Sequence, residues 1–534
     1  MEADPVLIVG SGPAGMLVAN ELLRRGVRCR LIDKAAAPTF TSRAFTVHAR
    51  TLEMLEHVGV AHRFVDQGEP SPGFTFNFKG FSEQPRLDFR RLDNTDPRYR
   101  CILKVSQTDT ERMLREHLES AYSCRPEWNT ELTELEQLAD GVRVRLQHLD
   151  RDGFEEVMTP RWLVACDGVH SRVRKALGLS FTGRVYREMV LQMMDAPLEN
   201  YSGDGAWINY YMEKDFFLTI SKLPGHNHRL LLSDTGESVK PGLPRREVFQ
   251  EIVDRFVSGA TLHEPLWATQ WTIRANMAQA YRHGNIFLCG DATHIHSPAG
   301  GQGMNACMQD GFNLGWKLAM VIRGEAQPSL LDSYEAERRP IAEQVTAGAH
   351  AMHQIIMAHG TGLENRFGLT EQPGWHDEAI NRLSGLSHNY RGSAAMPEGL
   401  APLDGPRPGD RAPDATLVRT PARRIFDLLR HPRFTLMLMP ASNRAAEAAA
   451  CREIVAQVSD RYDAALKCVV VGASPIDGLA AEAFAHDETG ESALRYGRGE
   501  SGRLFLVRPD GYLGFVCQFP EREHLYAHLR QILT

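Results

Sequence analysis

The residues best suited to chemistry lie between Gly290 and Asn305, in the segment GDATHIHSPAGGQGMN. Asp291 follows an apolar run at residues 285–289 that is predicted to be a strand, and a helix is predicted to begin near Gln302. A carboxylate at a strand end can accept hydrogen bonds from the hydroxyl groups of a sugar. Glycines ahead of a helix let backbone N–H groups approach an anion, which the helix dipole also favours. The segment is therefore typical of a loop that binds a charged, planar cofactor.

A second candidate segment lies near the start of the chain. The apolar run at residues 6–9 is predicted to be a buried strand and leads into GSGPAG, residues 10–15, a complete GxGxxG. The three glycines of this motif allow a tight turn, close approach of a pyrophosphate and packing of helix on strand. A helix is predicted over residues 16–25, followed by a strand that ends at Asp33, roughly 20 residues downstream, where a ribose-binding acid is expected. This order of elements predicts a dinucleotide site.

Residues 165–174, ACDGVHSRVR, form a third candidate segment. On its own, a DG turn followed by Ser171 at a helix start is a common surface feature. Because it lies between the GxGxxG motif and the Gly290–Asp291 pair, we interpret it as a third part of the cofactor site.

Together, the three segments resemble the class A flavoprotein aromatic hydroxylases, the family of p-hydroxybenzoate hydroxylase and phenol hydroxylase. That family carries GxGxxG, DG and GD motifs in this order, and Arg43 and Gln107 match its Arg and Gln near FAD. Glu111 and the stretch DSYEAERRP at residues 332–340 also fit, and the resemblance covers the whole chain. It implies an enzyme that uses FAD, NADPH or NADH, and O₂ to hydroxylate an aromatic ring through a flavin C4a-hydroperoxide.

The resemblance also implies individual cofactor contacts. The backbone N–H groups of Met304 and Asn305 match positions that stabilise negative charge at the flavin N1/O2 edge. Arg43 is interpreted as a pyrophosphate ligand rather than a surface salt-bridge partner, since a guanidinium suits phosphate. The predicted FAD-binding residues are Gly10, Gly12, Pro13, Ala14, Gly15, Asp33, Lys34, Arg43, Gln107, Asp167, Asp291, Gly303, Met304 and Asn305.

The predicted substrate pocket also depends on the resemblance. Pro298 matches a proline whose carbonyl faces the substrate ring, and Phe45 and Val47 lie on a segment that borders the pocket in the family. Phe45 stands where phenol hydroxylase has an acid, which argues against acid-assisted deprotonation at that position. Trp207 and Tyr211 would share one face of a strand at period two, either as pocket residues or as core aromatics.

No general base is assigned among the 21 histidines. His294 matches a common family position and is interpreted as holding the loop. His48, His226 and His228 are interpreted as polar surface residues rather than proton acceptors.

Residues 351–390 lie outside the cofactor motifs and resemble the branch of the family that acts on phenols carrying chloro or nitro groups, which hydroxylation can expel. The alternative substrates are an unactivated phenol, a hydroxyphenylpropionate or an aromatic polyketide, because the cofactor motifs do not define the pocket wall. A flavin-binding carrier or sensor without turnover is disfavoured by the intact flavin-edge motifs. A disulfide reductase is disfavoured because the sequence has neither a second GxGxxG nor a CxxC.

Composition sets broader limits. The chain has 534 residues, of which 43% are hydrophobic and 24% charged, as in an ordinary globular protein. Its net charge of −7 argues against nucleic acid or an anionic membrane as a partner. Nine cysteines form no CxxC and no metal-ligand spacing, so free thiols, no metal site and a cytoplasmic location are predicted. No apolar run is long enough for a membrane span, and no signal peptide is expected because the N-terminus enters a strand at once.

The predicted fold is α/β and α+β. A Rossmann-like FAD-binding domain is expected over residues 1–180, with a short substrate-side insertion near 76–100, and an antiparallel substrate-binding sheet with one wet and one dry face over 181–279. Residues 280–395 are expected to return to the FAD domain and continue as helices beginning after Pro340. A Pro/Gly-rich boundary precedes a thioredoxin-like domain over 400–534 without CxxC, for which packing or homodimer formation is hypothesised.

Overall fold

The computed structural model describes residues 6–40, 42–234, 244–357, 362–393, 403–418, 422–441, 445–480, 484–497 and 499–534. The strands are β1 Val6–Val9, β2 Cys29–Ile32, β3 Thr46–Val47, β4 Glu69–Ser71, β5 Gly73–Phe78, β6 Arg86–Asp88, β7 Ile102–Lys104, β8 Thr130–Leu138, β9 Gly141–His148, β10 Phe154–Met158, β11 Leu163–Ala165, β12 Phe181–Glu199, β13 Ile208–Met212, β14 Phe217–Lys222, β15 Asn227–Asp234, β16 Thr261–Leu262, β17 Trp267–Ala278, β18 Arg282–His283, β19 Ile286–Leu288, β20 His294–Ile295, β21 Phe434–Met439, β22 Leu466–Gly472, β23 Phe484–His486, β24 Arg503–Val507 and β25 Leu513–Gln518. The helices are α1 Pro13–Leu23, α2 Ala49–Val58, α3 Ala61–Gln67, α4 Gln107–Tyr122, α5 Arg172–Ala176, α6 Arg246–Phe256, α7 Gly303–Ile322, α8 Ser333–Met357, α9 Leu363–Thr370, α10 Trp375–Ser384, α11 Ile425–Leu428, α12 Ala445–Tyr462, α13 Glu491–Tyr496 and α14 Arg522–Ile532.

A five-stranded sheet in the order β18-β19-β11-β1-β2 forms the centre of the first half. Strands β1, β2, β11 and β19 are parallel, and the sequences of β1, β11 and β19 are continuously apolar, as in buried parallel strands. The carboxyl ends of β1, β11 and β19 lie side by side, because Val9 pairs with Ala165 and Ala165 with Leu288. The GxGxxG, DG and GD segments therefore leave the sheet at one edge.

Helices α1 and α7 pack against each other beside this sheet. Gly311 makes the close approach possible, since a Cβ atom there would lie 2.5 Å from the carbonyl oxygen of Ala14. Helix α7 is buried along almost its whole length and begins at Gly303, with Gln302 as its N-cap, as predicted. The close packing fixes the start of α7 relative to the start of α1.

A nine-stranded sheet in the order β20-β17-β12-β15-β14-β13-β5-β6 forms the second layer, with β16 paired to β12. Its central pairs are antiparallel, as predicted, and β5 adds to β13 in parallel. The prediction of one wet face was wrong, because every residue of β13 is buried. Helix α6 covers the outer face, where Phe249 and Val253 pack against Leu218.

Helix α8 crosses Pro340, whereas the sequence predicted that a helix would begin after it. A proline inside a helix loses one hydrogen bond and costs about 3 kcal/mol. Buried anchors on both sides offset this cost: Glu337 and Arg338 precede the proline in ion pairs, and Ile341 follows it in the core.

The C-terminal region forms a separate five-stranded sheet in the order β23-β22-β21-β24-β25. Strands β21, β22 and β23 are parallel, and β24 and β25 are antiparallel to their neighbours. A tight turn joins β24 and β25, in which the N–H of Gly511 donates to the carbonyl of Arg508 at 2.9 Å. This region shares a core with α7, where the rings of Trp316 and Phe434 meet edge to face. The thioredoxin-like character stays a prediction.

Among the helices in the described part of the chain, none combines the length and apolar character needed to cross a membrane. All nine cysteines are free thiols. Within the same described residues, no group of three or more His, Cys, Asp or Glu side chains could hold a metal ion.

Candidate active site

A cavity of about 770 Å³ lies between the two large sheets. One end is formed by the turn between β1 and α1, and the other by side chains of β13, β14 and β15. The loop that carries Asp291 and the start of α7 lie between these ends. Predicted site residues that line the cavity are Gly12, Pro13, Ala14, Arg43, Phe45, Gln107, Asp291, Pro298, Gly303 and Met304.

The glycines of the first turn have two different roles. Gly10 has φ +102° and faces the carbonyl of Cys166, where a Cβ atom would lie at 2.3 Å, and a Cβ atom on Gly15 would lie 2.0 Å from the carbonyl of Gly10. Both glycines are therefore required by backbone packing, and neither lines the cavity. Gly12 is the N-cap of α1 and lines the cavity, with nothing within 4 Å of an added Cβ atom. A side chain at Gly12 would enter the cavity.

Asp33 ends β2 beside this turn. One carboxylate oxygen accepts hydrogen bonds from the backbone N–H and the hydroxyl of Ser11, both at 2.8 Å, and the other accepts from the N–H of Ala35 at 2.9 Å. Asp33 and the exposed Lys34 are not among the residues that line the cavity. The carboxylate thus holds the first turn, and a ribose contact stays a prediction.

The loop after β19 presents Asp291 to the cavity. Gly290 turns the chain with φ +65°, and the carboxylate of Asp291 is exposed and accepts a hydrogen bond from the thiol of Cys307 at 3.2 Å. The pKa of the Cys307 thiol is raised well above its usual range by burial and by Asp291, so the thiol stays protonated and donates. Asp291 keeps its second carboxylate oxygen for a ligand.

The start of α7 is open to the cavity. Gln302 caps the helix without a side-chain hydrogen bond, and Gly303 and Met304 line the cavity. The side chain of Asn305 accepts from the N–H of His48 and donates to the carbonyl of Thr46, both at 2.9 Å. Its amide therefore fixes β3, and only its backbone N–H remains for a cofactor.

The DG segment is brought to the same place. One oxygen of Asp167 caps α5 by accepting from the N–H groups of Arg172 and Val173 at 2.7 and 3.1 Å. The other oxygen is buried and has no hydrogen-bond partner, while the following Gly168 and His170 line the cavity. Asp167 itself does not line the cavity, so its carboxylate holds the turn and a cofactor contact stays a prediction.

These features fit FAD. Helices α1 and α7 both direct their N-termini into one cavity without a side-chain cap, as the pyrophosphate and the flavin N1/O2 edge require. Gly12 leaves space beside the first helix, and Asp291 supplies an acceptor for hydroxyl groups between the two helix ends.

Arg43 and Gln107 border the cavity from its open side. The exposed Arg43 has its guanidinium 5.7 Å from the ring of Trp271. Gln107 begins α4, donates its side-chain amide to Glu111 at 2.8 Å and donates its backbone N–H to the carbonyl of Ala44 at 2.9 Å. Burial raises the pKa of Glu111.

Some of the predicted pocket residues line the cavity, and others lie on surfaces that face away from it. Phe45 and Pro298 line the cavity, whereas Val47 is buried in β3 away from it. Tyr211 lies on the opposite face of β13, where its hydroxyl is 2.8 Å from that of Tyr201 and its ring packs against Phe256 of α6.

Trp207 is also turned away from the cavity, beneath the guanidinium groups of Arg86 and Arg90. Tyr210, between the two predicted residues, is the one that lines the cavity. Of the two alternatives left open by the sequence, Trp207 and Tyr211 are therefore buried core aromatics, since apolar side chains occupy both faces of β13.

Arg229 is a buried, charged cavity residue that sequence reasoning missed. It is fully buried in β15, donates to both oxygens of Asp195 at 2.8 and 2.7 Å, and lies 5.1 Å from the ring of Phe45. The indole N–H of Trp267 also donates to Asp195 at 2.9 Å. A single arginine directly before the apolar run at residues 230–232 was the available sign in the sequence.

The histidines near the site differ in their surroundings. His294 holds the loop, as predicted, through a 2.7 Å hydrogen bond to Asp310. His296 lines the cavity, its Nδ1 lies 2.8 Å from the carbonyl of Ser297, and its Nε2 is buried without a partner. Burial lowers the pKa of His296 to about 4.

The interpretation of three other histidines as surface residues holds only for His226, which is exposed. His48 and His228 are buried, and burial lowers the pKa of each to about 4.

Comparisons with known proteins agree with this geometry. Residues 3–349 match the family profile described as FAD binding domain, and residues 405–534 match that of the aromatic-ring hydroxylase C-terminal region. The chain is 45% identical to pentachlorophenol 4-monooxygenase of Sphingobium chlorophenolicum, over 95% of this chain and 93% of that protein. It is 33% identical to 6-methylpretetramide 4-monooxygenase of Streptomyces rimosus, over 99% and 94% of the two chains.

Solved structures show the same architecture. Anhydrotetracycline hydroxylase of Streptomyces rimosus superposes with a TM-score of 0.72 at 29% identity, covering 99% of this chain and 98% of its own. Aklavinone-11 hydroxylase, solved with FAD and aklavinone, superposes with a TM-score of 0.78 at 24% identity over 99% of both chains and shares the fold.

Proposed function

Because this chain belongs to the FAD-dependent aromatic-ring hydroxylases, we propose that it hydroxylates a phenol carrying chloro or nitro groups. The observation that carries this proposal is the buried Arg229 at the ring end of the cavity. Electron-withdrawing substituents make a phenol acidic, so such a substrate arrives as an anion. Asp195 balances the charge of this guanidinium, and the Nη1 of Arg229 also donates to the carbonyl of Ala44 at 3.2 Å. A phenolate would therefore be bound by charge-assisted hydrogen bonds to the N–H groups of a held ion pair.

The wall around Arg229 suits a planar ring. Tyr210, Phe74, Met193 and Leu231 line the cavity beside it and provide an aromatic and aliphatic surface. Asp195 holds the guanidinium in one orientation through two hydrogen bonds. One edge of the ring would therefore meet a fixed cation, while its faces meet apolar side chains.

The residue at position 45 supports the same class of substrate. Phe45 lines the cavity where an acid would assist deprotonation in phenol hydroxylase. A phenol that ionises at neutral pH needs no such partner, and an apolar ring favours bulky chlorinated or nitrated substrates. We assign no general base.

When bound, FAD would pass electrons from NADPH or NADH to O₂ and deliver one oxygen atom to the ring. The second oxygen atom leaves as water. If the hydroxylated carbon carries chloride or nitro, that group leaves as chloride or nitrite, and the ring becomes a quinone.

The protein's own groups bind and orient the cofactor. We assign the pyrophosphate to the start of α1 with Arg43, and the ribityl chain to Asp291. The N–H groups of Met304 and Asn305 are assigned to the N1/O2 edge of the flavin, where they would stabilise negative charge. Gly10, Gly15, Asp33 and Asp167 are assigned to holding the turns around it.

A second candidate substrate is an aromatic polyketide. The relatives named for 6-methylpretetramide and anhydrotetracycline match almost the whole chain, and the cavity is large. The presence of Arg229 beside Phe45 favours the phenol, since a neutral polyketide gains less from a buried cation.

The test is NADPH oxidation in air by the FAD-loaded protein across a panel of phenols, with chloride and nitrite measured in the same samples. Phenol-stimulated oxidation with release of either ion is expected. Stimulation without ion release would move the substrate to an unactivated phenol or a polyketide. Absence of stimulation by every phenol would refute the proposed substrate class.

We also propose a cytoplasmic enzyme built as an FAD-binding unit of residues 1–180 and 280–395, a substrate-binding unit of 181–279 and a C-terminal unit of 400–534. Nine free thiols support a reducing location. We also hypothesise a homodimer formed through the C-terminal unit. Size-exclusion chromatography with light scattering on the full-length protein would refute this hypothesis if it found only monomers. Measuring NADH oxidation alongside NADPH oxidation decides which nucleotide is preferred.

A further inference from the structure

The turn between β24 and β25 inserts two charged side chains into the FAD-binding half of the molecule. Arg508 donates to both oxygens of Glu337 in α8, at 2.6 and 2.8 Å, and also pairs with Asp510 at 2.6 Å. Arg508, Asp510 and Glu337 are all buried. Two parts of the chain that are 171 residues apart thus complete one ion-pair cluster.

Helix α7 takes part in this cluster. The ammonium of Lys317 is 2.7 Å from Glu337, the indole N–H of Trp316 donates to Asp510 at 3.2 Å, and Asn313 donates to Glu337 at 2.8 Å. These three residues lie within about one turn of the helix whose N-terminus opens into the cavity. Buried charges are costly unless all their partners are in place, so the turn at Arg508 constrains the position of α7.

A second connection reaches the loop that carries Asp291. His294 of that loop pairs with Asp310 of α7, and Arg338 donates to the other oxygen of Asp310 at 2.7 Å. Arg338 also donates to the hydroxyl of Tyr390 at 3.2 Å, and the ring of Tyr390 lies 4.1 Å from that of Tyr512. A continuous set of buried contacts therefore runs from the turn between β24 and β25 to the cofactor loop.

We propose that Arg508 is a positioning residue for FAD: the turn of the C-terminal unit holds the start of α7 and the Asp291 loop in their binding geometry. The C-terminal unit is then part of the cofactor site although none of its described side chains lines the cavity. This inference concerns FAD binding and is independent of which aromatic substrate is hydroxylated.

The first test replaces Arg508 by Lys, which keeps the charge and loses the paired hydrogen bonds to Glu337. FAD affinity of the full-length apoprotein is measured by titration, together with the absorption spectrum of the bound flavin and the melting temperature without FAD. We expect R508K to weaken FAD binding at least tenfold and to shift the flavin spectrum.

Arg411 supplies a matched control. It is buried, and it donates to both oxygens of Glu53 across the same interface at 2.8 and 2.5 Å. Glu53 connects to the Arg508 turn through Arg50, which donates to the carbonyl of Asp510, and neither hydrogen bond of Arg411 involves α7 or α8. R411K is expected to lower the melting temperature while changing FAD affinity less than twofold. Equal effects of R508K and R411K on FAD affinity, or none from R508K, would overturn the proposal.

A second measurement needs no substitution. Because coupling between two sites is reciprocal, FAD binding should in turn stabilise the turn. Hydrogen exchange of the wild-type apoprotein with and without FAD is expected to slow at residues 503–518 and to change little at β22 and β23, on the far side of the same sheet. Unchanged exchange at 503–518 would overturn the proposal even if R508K failed to fold.

Discussion

At the scale of single residues, the ring end of the cavity depends on one buried cation. Arg229 lies next to Phe45 and is held by Asp195, so a ligand meets a guanidinium whose position is already fixed. Such preorganisation favours an anionic ligand because few groups must reorder on binding.

Replacement of Arg229 by Lys is expected to lower kcat/KM for chlorophenols about 100-fold, since the paired, planar hydrogen-bond geometry is lost. FAD affinity should stay unchanged. The matched control is R366K: Arg366 is equally buried but donates to the backbone carbonyls of Ile355 and Ile356. Steady-state kinetics of both variants check the expectation, and equal losses in both would contradict the role of Arg229.

Tyr210 and Tyr211 offer an adjacent pair on opposite faces of β13. Y210L removes an aromatic wall of the cavity and is expected to raise KM for the phenol at least tenfold. Y211L removes packing against α6 and is expected to cost about 1–3 kcal/mol of stability with little change in kcat/KM. Urea unfolding and steady-state kinetics distinguish the two, and a large kinetic effect of Y211L would contradict the assignment of the faces.

At the scale of elements, the two helix starts at the cavity explain why separate motifs act together. Strands β1, β11 and β19 end in register, so the turns that follow them meet at one edge. Helices α1 and α7 then begin at the same cavity.

The role of the turn before α1 in FAD binding can be tested by substitutions at two of its glycines. G12V places a side chain in open space that faces the cavity, so the apoprotein should keep its melting temperature while FAD affinity falls at least tenfold. G15A forces a Cβ atom against the carbonyl of Gly10 and should lower the melting temperature of the apoprotein itself. Unaltered FAD binding by G12V would show that FAD does not bind beside Gly12.

At the scale of the whole molecule, burial keeps several histidines neutral. Burial lowers the pKa of His48 and of His296 to about 4, and burial with Arg338 and Arg50 nearby lowers that of His388 to about 3. These histidines take up protons near pH 6.5 only in the unfolded chain. The unfolded state therefore binds more protons between about pH 6.5 and 4, and the free energy of unfolding should fall as pH falls through this window.

Each such histidine contributes a slope of up to about 1.4 kcal/mol per pH unit. H388N removes one of them and is expected to flatten the loss of stability between pH 6.5 and 5, measured by urea unfolding. The exposed His226 provides the control, since H226N should leave the slope unchanged. Identical slopes for wild type and H388N would contradict this account.

The segments that form the cofactor site could be predicted from the amino-acid sequence. Each motif is a contiguous stretch whose backbone chemistry is local: GSGPAG has the glycines that its turn needs, and Asp291 follows directly on a buried strand. The turn at Arg508–Gly511 is local in the same way, because its Pro, Asp and Gly favour a tight turn. The start of α7 at Gly303 also follows from its glycine-rich approach.

Which side chains share the site depends on contacts between distant parts of the chain, and these became visible in the folded structure. Alternation along β13 gives a period of two but not a face, so the choice between Tyr210 and Tyr211 depended on what covers each side of the sheet. Helix α8 passes through Pro340 because buried ion pairs on its flanks offset the lost hydrogen bond. The Arg508–Glu337 pair joins residues far apart in the chain, and long-range contacts of this kind have no local pattern from which they could be predicted.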